Sequence, residues 1–320
     1  MHEFEFTILI TFCFFYIIIG FYGNVISILI FTNKRFLLQP TTMYLIASRI
    51  LALIILFYLP IILFPTIWTS NDASCKLFGG IMMIITQFQP WIISFYSVDR
   101  LISLVYPFKF LFKNKLRFQL ALMLISVFVI FWIIFPIILF YDKLTTQQNI
   151  SVCSLPVQSD LILVYLKYEY MLVKVVLPFF FMISSSVMIL WKIIKNKQKW
   201  GLTNIKHKRD FQFGISLVAC DFIFLILKLP NLIKIIKYEN DDDRIVYDFS
   251  YSVYTLIGSL YNVLFFLFFI LLNKTYRKLF KKYTKLFSRK IKKIFRRRNN
   301  RIAVATYNNK DNQKVVIYVK

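Results

Sequence analysis

An acidic and a basic residue, Asp99 and Arg100, stand next to each other at the end of a long apolar stretch. Between Lys76 and Asp99 the chain has no charged side chain, and a helix of that length, at about 1.5 Å per residue, crosses a hydrocarbon core about 30 Å thick. A carboxylate beside a guanidinium at the end of a membrane helix can form a charged pair that a conformational change breaks. The simpler alternative is that the two charges only mark where the lipid ends.

The composition indicates that most of the chain lies in a membrane. The sequence is 58% hydrophobic and its mean hydropathy is +0.64, which is more apolar than a soluble protein of this length. Apolar runs long enough to cross a bilayer recur along the chain. They predict an all-α bundle of seven transmembrane helices, at residues 8–32, 42–68, 76–98, 118–141, 166–191, 211–236 and 246–272.

The distribution of charge predicts the orientation of this bundle. The net charge of +25 would suggest nucleic-acid binding in a soluble protein, but here the basic residues gather in alternate loops and in the C-terminal tail. Basic loops favour the cytoplasmic side of a membrane. We therefore expect residues 1–7 outside the cell, a membrane domain at 8–272, a short amphipathic eighth helix at 273–288 and a basic cytoplasmic tail at 289–320.

The amphipathic segment and the tail have a predicted partner of their own. Residues 273–288 space aromatic and aliphatic side chains at helical intervals among lysines, which suits a helix lying in the anionic inner interface. The arginine triple at 296–298 could be interpreted as a nucleic-acid site or as a lipid-binding patch. The lipid interpretation is favoured because a helix tethers the tail to the bilayer, so anionic inner-leaflet lipids are expected as a partner and nucleic acid is not.

The separations from Cys75 to Arg100 and from Asp99 to Pro107 resemble those in the third helix of rhodopsin-like (class A) G-protein-coupled receptors. The pair Gly23-Asn24 resembles the Gly-Asn pair of the family's first helix. Single prolines in the fifth and sixth runs, and an asparagine in the seventh, also match: Pro178, Pro230 and Asn262. The chain looks like the divergent, orphan-type receptors that are numerous in invertebrate genomes. The resemblance implies a plasma-membrane receptor with an extracellular ligand and a heterotrimeric G-protein partner.

Several signatures of that family are changed in this sequence. Leu101 follows Arg100 where the family has an aromatic residue, and Arg49 stands where the family's aspartate helps to bind sodium. Arg49 must therefore find an acceptor within the bundle or extend towards the interface. Four further positions also differ: Ser186 for a tyrosine, Lys228 for the tryptophan before Pro230, and Val263 and Phe266 for the proline and tyrosine after Asn262.

The resemblance implies a role for the residues that are kept. Asp99 and Arg100 would form the latch at the G-protein end, with Arg209 and Asp210 extending it from the sixth helix. Helix hinges and relay positions are expected at four further residues: Pro178, Pro230, Asn24 and Asn262.

Ligand identity is constrained by what the third helix carries in its outer half. Met82 stands where aminergic receptors have an amine-binding aspartate, which disfavours a biogenic amine. Lys174 and Lys228, at membrane depth, could receive an acidic small molecule or a peptide carboxylate. Alternatively, Lys228 pairs with Asp221 and Lys174 extends outwards. The expected pocket comprises Met82, Met83, Thr86, Gln87, Lys174, Lys228 and Asn231.

The cysteines predict one disulfide. Cys13 and Cys220 lie within apolar runs and are expected to be buried thiols, whereas Cys75 and Cys153 fall in predicted outer segments, where a bond can form. The resemblance implies the same bond, from the third helix to the second outer loop. Asn149, in Asn149-Ile150-Ser151, is a glycosylation acceptor motif in that loop.

The sequence does not predict an enzyme, a metal site or a cofactor. His2 and His207 are the only histidines, and the seven glycines form no phosphate-binding loop. A transporter or channel is one alternative, which inverted repeats or paired glycine-broken helices would support, and the sequence shows neither. A heptahelical chemosensory protein that no longer couples to G proteins is the other, because several activation signatures are lost.

Overall fold

The computed structural model describes residues 3–37, 41–63, 72–105, 115–139, 142–145, 151–154, 165, 169–200, 205–237 and 249–307. Its helices are α1 (Glu3–Phe31), α2 (Lys34–Leu37), α3 (Thr42–Leu63), α4 (Asp72–Val105), α5 (Lys115–Leu139), the π-helical segment π1 (Glu169–Val176), α6 (Leu177–Trp200), α7 (Ile205–Lys237), α8 (Phe249–Leu272) and α9 (Lys274–Tyr307). Two strands, β1 (Asp142–Thr145) and β2 (Ser151–Ser154), lie between α5 and π1.

Long apolar helices form because a backbone in lipid must satisfy its hydrogen bonds internally. Among the described residues, six stretches are long and apolar enough to cross a bilayer, in α1, α3, α4, α5, π1 with α6, and α8. Helix α7, with 33 residues, is also sufficient in length to cross a bilayer, and it carries Asp221 and Lys228 in its apolar part. The helical bundle agrees with the predicted fold class.

Helix α4 lies in the middle of the bundle. It packs against α3, α5, α6 and α7, while α8 packs against α1, α3 and α7. The shared core contains Ile92 of α4, Phe224 of α7 and Phe269 of α8, all fully buried. Large apolar side chains of α5, such as Leu124 and Phe128, point outwards instead. This arrangement is the one expected for helices whose outer faces meet lipid.

The structure differs from the sequence-based expectation in the loop after α5 and at the C-terminal end of α9. The described part of α3 ends at Leu63, so the predicted end at 68 lies outside the described residues. A two-stranded antiparallel hairpin, in which Lys143 pairs with Cys153, was not predicted in the outer loop. Helix α9 continues to Tyr307, past the predicted end of the amphipathic segment at 288. Its extension is rich in lysine and arginine and has no glycine or proline, so nothing in it interrupts a helix.

The fifth spanning segment is not a regular helix throughout. Its described part includes the π-helical segment Glu169–Val176 and becomes α-helical at Leu177, immediately before Pro178. Proline has no N–H to donate to the preceding turn, and a wider turn there is one way of accommodating the loss. The wide turn also changes which side chains share a face, because residues five apart become neighbours.

Candidate functional site

The predicted latch lies near the C-terminal end of α4, which is the end predicted to face the cytoplasm. Arg100 is 5% exposed, and Asp99 is half-buried and accepts a hydrogen bond at 3.3 Å from Nε2 of Gln119 on α5. A direct Asp99–Arg100 ion pair stays a prediction. Arg209 and Asp210 lie in the first turns of α7, and their side chains are outside the described part of the chain.

Just above the latch, Asp221 of α7 joins three helices. Its Oδ2 atom lies 2.7 Å from Oγ of Ser97 on α4 and 2.9 Å from Oγ of Ser186 on α6. The structure therefore does not have the alternative arrangement in which Asp221 pairs with Lys228. Ser186, which replaces the family's tyrosine, has gained a partner on the neighbouring helix. The inner halves of α4, α6 and α7 are connected through one carboxyl group.

Arg49 of α3 is fully buried at the middle of the bundle, so it does not extend towards the interface. One terminal nitrogen donates to Oδ1 of Asn24 at 3.3 Å and the other to Oγ of Ser48 at 2.8 Å. Its guanidinium carbon lies 3.5 Å from the centre of the Phe265 ring and 5.5 Å from that of Tyr261. The charge is held by neutral acceptors and by aromatic faces, which attract cations.

A chain of amides extends from Arg49 across the bundle. Asn24 donates to the backbone oxygen of Gly20 at 2.7 Å and to that of Asn262 at 2.8 Å. The side chain of Asn262 accepts a hydrogen bond from Gln89 of α4. The two predicted relay residues are therefore in one network, and Gln89, which the sequence analysis did not single out, connects that network to α4.

The predicted hinge Pro178 is tied to α4. Ser94 lies with its hydroxyl 2.9 Å from the backbone oxygen of Pro178 and 3.0 Å from that of Pro90. Pro90 lies inside α4 and Pro230 inside α7, each at a position where the helix lacks a backbone donor. These are sites at which a helix can bend.

The outer half of the bundle holds a cluster of charged side chains. Nζ of Lys174 lies 3.5 Å from Oγ1 of Thr86, and the Lys174 charge interacts with those of Glu169 and Lys228. Glu169 also accepts a hydrogen bond from Gln87. The ammonium of Lys228 lies 5.7 Å from the centre of the Phe224 ring. Two cations and one anion thus meet where the ligand pocket was predicted.

The π-helical segment explains how Glu169 enters this cluster. Glu169 and Lys174 are five residues apart, which places them on one face of a π-helix but not of an α-helix. Glu169 was not predicted as part of the site, because residues five apart do not share a face in an ordinary α-helix. Trp91 of α4 fixes the same segment, since its indole N–H donates to the backbone oxygen of Val173 at 3.0 Å.

The structure describes the remaining predicted residues only in part. Met82 and Met83 are half-buried on α4, and the side chain of Asn231 is outside the described part. Cys13 and Cys220 are free and buried, as predicted. Cys75 is buried and disulfide-bonded, but the side chain of Cys153 is outside the described part, so the pairing stays a prediction. Asn149 lies outside the described residues.

Comparison with known proteins identifies the family. Residues 23–264 match the family model of the 7 transmembrane receptor (rhodopsin family). The chain is also 24% identical over 204 residues to the N-arachidonyl glycine receptor of Bos taurus, an alignment that covers 60% of this chain and 59% of that relative. The chain thus matches about three fifths of the relative's length. Because the family model spans well over half of the sequence, this chain belongs to the rhodopsin family of seven-transmembrane receptors.

Proposed function

We propose that this receptor lies in the plasma membrane, with its N-terminus outside, and activates a heterotrimeric G protein when it binds an extracellular ligand that carries an acidic group. The observation that carries the coupling is the placement of Arg100, buried at the inner end of α4 and next to Asp99. In the family such an arginine contacts the G protein once the inner helix ends have parted. A buried guanidinium supplies that contact only after the bundle opens.

The charged cluster supports an acidic ligand. Lys174 and Lys228 bring two ammonium groups into the outer half of the bundle, and Glu169 balances one of them. A ligand carboxylate would compensate the remaining charge. The bovine relative is named for N-arachidonyl glycine, an acyl amino acid that ends in a carboxylate. A long-chain N-acyl glycine is therefore the first probe we would test, with its primary amide as the uncharged counterpart.

The coupling is tested by nucleotide exchange on a panel of G-protein α subunits. At matched surface expression, Arg100→Ala is expected to lower receptor-driven exchange by roughly 10- to 100-fold, because a charge-assisted contact contributes about 1.5–3 kcal/mol. Arg117→Ala is the matched control, since Arg117 is an exposed arginine at the inner end of α5. Equal exchange by wild type and Arg100→Ala would contradict the latch.

The absence of nucleotide exchange with the wild-type receptor would have a different meaning from its loss in Arg100→Ala. If no α subunit responds to the wild-type receptor, with or without the acidic probe, the result favours a non-coupling heptahelical protein or a transporter. Ion-flux recordings on the same cells would then separate these two alternatives.

Helix α9 supports a second partner, the anionic lipids of the inner leaflet. Tyr276 and Leu279 bury one face of α9 against the bundle, and the Tyr276 hydroxyl lies 2.7 Å from that of Ser27 on α1. Another face forms a cleft of about 430 Å³ lined by Phe280, Lys281, Thr284, Lys285, Ser288, Arg289 and Lys292. Its cations and hydroxyls are suited to a lipid phosphate.

Neutralising the cleft is expected to release bound phosphatidylserine. Each basic residue near an anionic surface contributes about 1 kcal/mol, so replacing Lys281, Lys285, Arg289 and Lys292 with glutamine should weaken retention at least about tenfold. Native mass spectrometry of the purified receptor measures the retained lipid. The charge-matched control replaces four basic residues of α9 outside the cleft, Lys274, Lys278, Lys282 and Lys293. Equal loss in both variants would show a diffuse charge effect and contradict a defined lipid site.

A further inference from the structure

The carboxyl group of Asp221 is the only described aspartate side chain deep among the helices. Asp221 is 2% exposed, and it lies where the inner halves of α4, α6 and α7 meet. Its Oδ1 atom has no hydrogen-bond partner among the described residues. A buried carboxylate in such a place is costly unless a cation or several donors compensate its charge.

The contacts of Oδ2 with two serine hydroxyls fit a protonated carboxyl group, because one of these hydroxyls has a second acceptor. Ser97 has a single hydroxyl proton, and its Oγ atom lies 3.1 Å from the backbone oxygen of Ile93, which can only accept. A serine inside a helix commonly donates to the oxygen four residues earlier. If Ser97 donates there, the 2.7 Å contact between Ser97 and Asp221 requires a proton from the carboxyl group.

The second contact of Oδ2 also fits a protonated Asp221. Ser186 lies 2.9 Å from this oxygen and can donate to it. A carboxyl hydroxyl donates one hydrogen bond and can accept another, so Oδ2 would donate to Ser97 and accept from Ser186. The unpartnered Oδ1 is then a carbonyl oxygen, which costs less to bury than an oxygen of a carboxylate.

Among the described residues, the groups that hydrogen-bond Asp221 are two serines, which carry no compensating charge. The titratable groups that interact with it are Tyr96 of α4, Cys220 of α7 and Tyr261 of α8, all neutral in their ordinary states. From α3, Arg49 interacts with Tyr261 and Cys220 and donates to other residues. Arg100 of α4 interacts with Tyr96. From α6 the facing group is Ser186, which carries no charge.

We propose that Asp221 is a proton-binding site whose bound proton holds α4, α6 and α7 together in this conformation. When the inner helix ends separate and water reaches the site, the Oδ2–H bond breaks, the proton goes to water and a carboxylate is left. The closed packing thus binds one proton that the open or unfolded protein releases. The stability of the closed bundle depends on pH for this reason.

The sign of the dependence follows from proton binding by the folded state. Raising the pH favours the form that has lost the proton, so the melting temperature of the wild type should fall by about 2–3 °C per pH unit from this one site. The fall should level off above the pH at which the folded protein itself loses this proton. Asp221→Asn keeps the shape of the neutral acid but cannot ionise. Its melting temperature should lack this component, so its advantage over the wild type should grow with pH.

Thermal unfolding of the purified receptor from pH 5.5 to 8.5 tests the proposal without a ligand or a G protein, so its outcome is independent of the proposed coupling. Equal slopes for wild type and Asp221→Asn would overturn it. Infrared spectroscopy gives a second measurement: the carbonyl band of a protonated carboxylic acid should be present at acidic pH in the wild type and reduced in Asp221→Asn. No difference in this band would also overturn the proposal.

If Asp221→Asn does not fold, two serine variants on α6 test the proposal instead. Ser186→Ala removes the donor to Oδ2 and should change the pH at which the melting temperature falls. Ser184→Ala is the matched control, because Ser184 lies on the same helix and its hydroxyl donates to the backbone oxygen of Phe180 at 2.7 Å. Identical pH profiles for Ser186→Ala and wild type would contradict the site.

Discussion

Replacing Arg49 with aspartate, the residue that the family usually has at this position, is expected to destabilise the receptor by about 3–5 kcal/mol, because it buries an uncompensated carboxylate. The guanidinium is fully buried and donates to Asn24 and Ser48. An aspartate would lose both donations, and its charge would meet the hydroxyl of Ser48 and the amide of Asn24 in place of a compensating cation. It would also lie against the negative faces of Phe265 and Tyr261, which now attract a cation.

The melting temperature of the purified receptor measures this effect. A loss of this size corresponds to a decrease of roughly 10 °C, and surface expression should fall with it. Arg49→Lys should lose less, since it keeps the charge but cannot donate to Asn24 and Ser48 at once while stacking on Phe265. Arg117→Asp, at an exposed position of α5, is the control for charge reversal and should change stability little.

One result would change the interpretation of this site. If Arg49→Asp were as stable as the wild type and became more stable in sodium than in choline, the surrounding groups would suit the family's usual ion site. The guanidinium of Arg49 would then take the place of the sodium ion. We expect the opposite, because the nearest described side-chain contacts of Arg49 are two aromatic faces and two neutral acceptors.

The sequence was sufficient for the features that depend on local pattern. Hydropathy over a window of helix length predicted the spans, and the Cys75–Arg100 separation predicted which of them is the third helix. That helix is α4, which has Cys75 near one end and Arg100 near the other. These features depend on the composition of single segments, which a sequence displays directly.

The contacts between helices could not be predicted in the same way. That Asp221 meets Ser97 and Ser186 depends on how three helices are rotated about their axes, and an apolar segment in lipid gives little periodic signal for that rotation. The length of α9 was underestimated because the basic tail was treated as a separate segment. Glu169 was missed because the π-helical turn changes the residues that share a face.

Among the predicted pocket residues, the structure brings Thr86, Gln87, Lys174 and Lys228 to one cluster. The role in ligand binding that we propose for the two lysines leads to the second large effect. With a long-chain N-acyl glycine as agonist, Lys174→Met and Lys228→Met should each lower the potency by roughly 10- to 100-fold, because each removes a charge-assisted contact of about 1.5–3 kcal/mol. With the primary amide, which lacks the carboxylate, both variants should respond nearly as the wild type does.

Potency is measured from concentration–response curves of nucleotide exchange at matched surface expression. Lys76→Met is the control, because Lys76 lies at the outer end of α4 and was not assigned to the pocket. Equal losses for the acid and the amide would contradict carboxylate recognition. The two lysines would then support the packing of π1 and α7 without contacting the ligand's acidic group.

Glu169→Gln is expected to change the potency of the acid in the opposite direction from the two lysine variants. In the structure the Glu169 carboxylate accepts from Gln87 and interacts with Lys174, so it holds the place that a ligand carboxylate would take. Removing its charge frees Lys174 and should raise the potency of the acid several-fold while leaving the amide unchanged. A lower potency for the acid would instead mean that Glu169 orients Lys174 towards the ligand. Either result is separable from a folding defect, because a folding defect lowers the response to the acid and to the amide together.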